Sequence, residues 1–135
     1  MDFKIKTGEK FRTVRCTKAA GVTIAAGRLV TLASGLIVEA LTASSRVAYA
    51  PNGAASADTE VDVTIGNDFT LVGTPEQNYV VTGKGATCDI TGAGGAQTIK
   101  NTTQSTNVLR LGISESAGIA GTVTPIEVQI ALPLF

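Results

Sequence analysis

The chain has 135 residues, 44% of them hydrophobic, with 15 glycines, 4% aromatics and no tryptophan. That length suits one domain whose core is built from Val, Ile, Leu and Ala, and a Gly- and Thr-rich composition favours strands and turns over helices. Formal net charge is zero and histidine is absent, which removes the commonest general base, the Ser-His-Asp arrangement and most zinc sites.

Charge is unevenly spread. Residues 1–28 hold seven cations (Lys4, Lys6, Lys10, Arg12, Arg15, Lys18, Arg28) against Asp2 and Glu9, and the remainder is acidic. Such asymmetry signals either a partner or a solvated face. The basic stretch is short and the sequence pI is about 6.2, so a nucleic-acid partner is not expected.

Phe3, Ile5 and Thr7 alternate with Lys4 and Lys6, the period of a half-buried strand. The N-terminus carries charge and no apolar h-region, so no signal peptide is expected. Extended segments follow at Val14–Thr17, Leu29–Ala33, Leu36–Leu41 and Val47–Ala50. Residues 51–59 read as a long loop. Val61, Val63 and Ile65 alternate with Glu60, Asp62 and Thr64, and Tyr79–Thr82 is again extended. Residues 91–106 read as a second long loop, interrupted only by Ile99. Leu109–Ile113 and the alternating Ile126, Val128, Ile130 and Leu132 complete the set. No segment has a 3.6-residue apolar period, and no apolar run approaches the ~18 residues of a membrane span. Short strands between Gly and Asn turns predict an all-β single domain, a small barrel or sandwich. Residues 1–18 form a basic N-terminal arm or first strands, and residues 19–135 the compact domain.

Chemical motifs are scarce. Gly83-Lys84-Gly85 lacks the rest of a phosphate-binding loop and reads as a turn. Asp58, Glu60 and Asp62 share one strand face; calcium is conceivable there, but no Gly-centred ligand loop accompanies them and a solvated face is the simpler reading. Cys16 and Cys88 read as buried free thiols, and Asn101-Thr102-Thr103 fits a glycosylation sequon that matters only in a secreted protein. No catalytic, cofactor or metal residues are assigned. Phe3, Phe11 and Leu134-Phe135 either close the core or form an exposed patch that wants a partner.

One rhythm covers most of the chain: GVTIAAGRLVTLASGLIVEA from Gly21, SSRVAYAPNGAASADTEVDVTIG from Ser44, and VLRLGISESAGIAGTVTPIEVQIALP from Val108. It resembles the capsid decoration, or cement, proteins of tailed phages. The resemblance implies a β-tulip fold, commonly a homotrimer, on the outer surface of the virion after assembly in the host cytoplasm. It implies the major capsid protein as partner, bound through an N-terminal arm and the lower face, and no enzymatic activity, cofactor, nucleic acid or membrane. The 91–106 loop has no counterpart in that family. The capsid-contacting candidates are Phe3, Lys4, Ile5, Lys6, Lys10, Phe11, Arg12 and Arg15, in an arm that is loose until it docks. The rival is an ordinary first strand with Phe3 and Ile5 in the core. Alternative functions are another virion β-domain, of a tail or head fibre, or a small carbohydrate-binding module, although aromatic platforms are few.

Overall fold

Alternating side chains need a second layer to cover their apolar face, and the chain supplies one by stacking its strands around two cores. The computed structural model describes residues 2–6, 10–77, 85–92, 96–102, 104–112 and 125–135. They form eleven strands and no helix: β1 Phe3–Ile5, β2 Thr13–Thr17, β3 Arg28–Ala33, β4 Leu36–Glu39, β5 Ala48–Ala50, β6 Glu60–Thr64, β7 Leu71–Gly73, β8 Thr87–Thr91, β9 Thr98–Lys100, β10 Leu109–Leu111 and β11 Ile126–Ile130. The protein is therefore all-β, as its turn-punctuated alternation predicts. The expected strand at 79–82, the turn residues Gly83 and Lys84, the 113–124 stretch and Thr103 of the sequon lie outside the described residues.

Three sheets result. One has six strands in the order β1-β7-β11-β10-β8-β9, one pairs β2 with β6, and one has the order β4-β3-β5. Each named pairing is antiparallel, the arrangement that tight turns allow. The β3–β4 turn is an example: Ser34 and Gly35 both take positive φ (52° and 80°), the conformation of a two-residue hairpin turn. Among the described residues no continuous ladder closes a barrel. Instead a parallel bridge between Pro75 and Ile99 joins the β9 edge to the chain leaving β7, with Ile99 N–H donating to Thr74 O (2.8 Å) and Glu76 N–H to Ile99 O (2.7 Å).

The larger core gathers Phe3, Leu71, Ile90, Ile99, Leu109, Ile126, Val128 and Ile130 from the six-stranded sheet. The smaller gathers Val61 and Val63, with Val14 and Cys16 against them. The β4-β3-β5 sheet serves both. Leu29 and Tyr49 enter the larger core, and their neighbours Val30, Ala48 and Ala50 enter the smaller. Adjacent residues in a strand face opposite ways, so this sheet carries a core on each side. That explains why Ala48–Ala50 is buried throughout and shows no polar alternation.

Two expectations are corrected. Residues 91–106 are not one long loop: β9 lies inside them, and Ile99 is fully buried. Nor does residue 3 begin a loose arm. Phe3 is 0% exposed, β1 pairs with β7 from Phe3↔Gly73 to Ile5↔Leu71, and Phe3 N–H donates to Gly27 O at 2.9 Å. The first-strand alternative is the one observed, because the ring of Phe3 occupies the space a side chain at Gly73 would need.

Polar clasps hold the loops to these layers. Gln97 is buried; its Oε1 accepts Leu29 N–H (2.7 Å), and its Nε2 donates to Leu29 O (2.8 Å) and Ala40 O (3.1 Å). Asp89 Oδ1 accepts three successive backbone N–H groups, of Ser105, Thr106 and Asn107 (3.0, 2.9 and 3.0 Å). Lys18, 3% exposed, donates its ammonium protons to Ala19 O (2.9 Å), Val22 O (2.5 Å) and Ser56 O (3.5 Å). A buried charge must be hydrogen-bonded, and here three backbone carbonyls do it.

Candidate functional site

The seven cations of the basic N-terminal stretch meet different fates. Lys18 is sealed among carbonyls. Arg28 bridges Asp2 (3.0 Å) and Glu39 (3.1 Å). Lys6 meets Glu127 at 2.7 Å, and Arg15 meets Asp62 at 3.2 Å across the β2–β6 register. Much of the charge asymmetry is thus cancelled within the fold. Lys4, Lys10 and Arg12 stay exposed and stand in no ion pair among the described residues.

Lys10 and Arg12 flank Phe11, and the three line a groove of about 620 Å³ with Ile65, Asp68 and Phe69. Its position follows from pairing. Arg12 O accepts Ile65 N–H (2.9 Å), which carries the β2–β6 ladder one step further and sets residues 10–12 beside the 65–69 turn. The rings of Phe11 and Phe69 lie 6.3 Å apart at 51°, a tilted aromatic pair. Phe69 belongs to the larger core, whereas Phe11 is 39% exposed. The turn also receives the C-terminal residue: Gly66 N–H donates to Phe135 O at 2.6 Å, and Phe135 is 43% exposed. The floor is therefore aromatic and aliphatic, and the rim carries two cations and one carboxylate.

Of the eight capsid-contacting candidates, the structure brings Lys10, Phe11 and Arg12 together on this groove. Phe3 is in the core, Ile5 is half-buried against it, and Lys4 points to solvent from β1. The four terminal apolar residues divide likewise: Phe3 is core, Leu134 packs on the smaller core, and Phe11 and Phe135 are exposed. Ile65, Asp68 and Phe69 were not legible as groove residues in the sequence; the signal that bears on them is the Gly66-Asn67-Asp68 turn that brings them round.

A second, polar groove of about 430 Å³ runs along the outer face of β6, lined among others by Arg15, Asn52, Asp58, Glu60 and Asp62. The three carboxylates do not converge. Asp58 Oδ2 accepts Ala55 N–H (2.8 Å) and Asp62 turns to Arg15, and no group of three metal-ligating side chains occurs among the described residues. Both cysteines are free thiols. Cys88 is buried, and burial, helped by the neighbouring Asp89 charge, pushes its pKa up to about 12. Cys16 is half-buried and is shifted upward as well, by burial first and Asp62 second.

Comparison with protein-family models, with curated proteins and with solved structures finds no match to this chain.

Proposed function

We propose that this protein is a structural virion component: it binds the outer surface of a phage capsid and stabilises the expanded head. The observation that carries the reading is the groove at residues 10–12 and 65–69, where an exposed phenylalanine sits between two cations that form no ion pair among the described residues. An apolar floor with a basic rim suits a protein partner with an acidic, partly apolar surface, since charge there steers docking and apolar burial holds it. The sequence rhythm described above points the same way. In this reading the partner is the major capsid protein, the protein acts as a homotrimer without catalysing a reaction, and its place is the outside of the particle. Stabilisation follows from mass action, because many copies that bind only the expanded shell lower its free energy.

Co-expression with the major capsid protein of the same genome, followed by sedimentation, tests this. The protein should travel with expanded shells in a fixed ratio, and shells without it should fail at a lower temperature. A protein left wholly in the supernatant would remove the proposal.

A further inference from the structure

We infer that the open edge of β2 receives an extended, acidic segment of the partner as an added strand. The inference rests on the shell-binding reading for the identity of the partner and deepens it by stating how that partner is held.

In an antiparallel ladder, residues on one strand alternate between bonding the neighbour and facing away. Arg12 O accepts Ile65 N–H and Lys18 N–H donates to Thr59 O, so the even-numbered residues of β2 bond β6. Thr13 and Arg15 therefore turn their N–H and C=O groups outward. Both residues are exposed, and no ladder or bridge meets them among the described residues.

Among the described residues, each other sheet edge meets a neighbour at one point or more. Tyr49 Oη and Gly27 O cover Phe3 on β1. The Thr74–Glu76 segment covers β9. Lys18 and Ala19 meet β4 at Ile37, and residues 132–134 run beside Val47 ahead of β5. The far edge of β6 faces β5, where Thr64 Oγ1 accepts Tyr49 N–H at 2.9 Å. An exposed, unpaired edge is a template for another strand.

The β2 edge runs from Arg15 toward Phe11, at the groove that Lys10 and Arg12 rim. A chain paired there places a side chain over Phe11, Ile65 and Phe69 and its acidic neighbours beside the two cations. A second copy of this protein is a poor occupant: it would bring its own Lys10 and Arg12 into the same short ladder, where like charges repel.

The probe is a blocked, fluorescent nine-residue peptide of alternating valine and glutamate with a central phenylalanine. It should bind, and hydrogen exchange at Thr13 and Arg15 should slow. A version with lysine for glutamate should bind about tenfold more weakly. A version N-methylated at the edge-facing residues should also lose about tenfold, the scale of the backbone bonds it cannot make. Thr13→Pro removes an outward N–H without touching the β6 ladder and should weaken binding similarly, while Thr13→Ala should not. Absence of binding, or equal binding of the N-methylated peptide, overturns the inference, and that arm decides the matter even if Thr13→Pro does not fold. Shell binding without edge binding would overturn this inference alone; edge binding without shell binding would overturn only the shell reading.

Discussion

The phenol O–H of Tyr49 donates a hydrogen bond to the backbone carbonyl of Phe3, 3.0 Å away and out of reach of water. It ties the first strand of the six-stranded sheet to the sheet between the two cores, 46 residues further along the chain. The phenol titrates above its ordinary value because it is buried, partly offset by the Ile5 backbone. Tyr49→Phe keeps the ring and deletes the bond, leaving a buried carbonyl unpaired, so unfolding free energy should fall by about 1–2 kcal/mol. Urea denaturation measures it, and an unchanged midpoint would show the bond contributes nothing net.

Deleting residues 1–7 should cost more. Phe3 fills the larger core, and removing a buried phenylalanine side chain alone costs roughly 3–5 kcal/mol. Phe3→Ala should reproduce most of the loss in a thermal melt. A truncated protein that melts with the full-length one would restore the loose-arm picture.

Gln97 acts as a surrogate strand for β3, matching both backbone groups of Leu29. Gln97→Leu preserves volume but strands Leu29 N–H and Ala40 O without this partner, and stability should drop by about 2–4 kcal/mol. Gln97→Glu is the sharper test. It keeps the acceptor for Leu29 N–H but loses the donor and sets a carboxylate against two carbonyls, so its loss should shrink as the pH falls and the carboxyl protonates.

The Asp89 carboxylate organises residues 105–107 by accepting three backbone N–H groups. Asp89→Ala should accelerate hydrogen exchange at Ser105, Thr106 and Asn107 by tenfold or more, because one acceptor serves all three. Exchange rates that stay as they are would mean the turn holds itself.

Cys88 makes a pH prediction. Its folded pKa is about 12 against an ordinary 9.0, so between those values the unfolded chain has released the proton and the folded one has not. The unfolded state then binds fewer protons, and stability falls as pH rises. The contribution is intact below about pH 9 and is lost progressively from there to about pH 12. Cys88→Ala should flatten that part of the stability–pH curve. Native Cys88 should also resist thiol reagents at pH 8, since the thiolate is the reactive form.

Several elements were legible in the sequence for a simple reason. β1, β6 and β11 each have one face on a core and one toward water, and that environment writes itself as period-2 alternation: Val61 and Val63 inside, Glu60 outside; Ile126, Val128 and Ile130 inside, Gln129 outside. β9 was missed because three residues hold too little pattern, and what fixes them is a distant partner, Thr74 to Glu76. The basic N-terminal run misled for a related reason: apart from Asp2, the acids that neutralise it, Glu39, Asp62 and Glu127, come from strands remote in sequence.

By itself, then, the sequence determined an all-β chain with a Val-, Ile- and Leu-built interior, because strand period and turn chemistry are local properties of a few consecutive residues. Tertiary structure decided which apolar residues are core and which are surface. Phe3 and Phe11 are the same side chain in the same basic stretch, yet one is sealed beside Gly73 and Tyr49 and the other stands open on the groove beside Phe69. Burial depends on what the rest of the chain brings alongside, and strand pairing over long sequence distances sets that, not the residue or its neighbours.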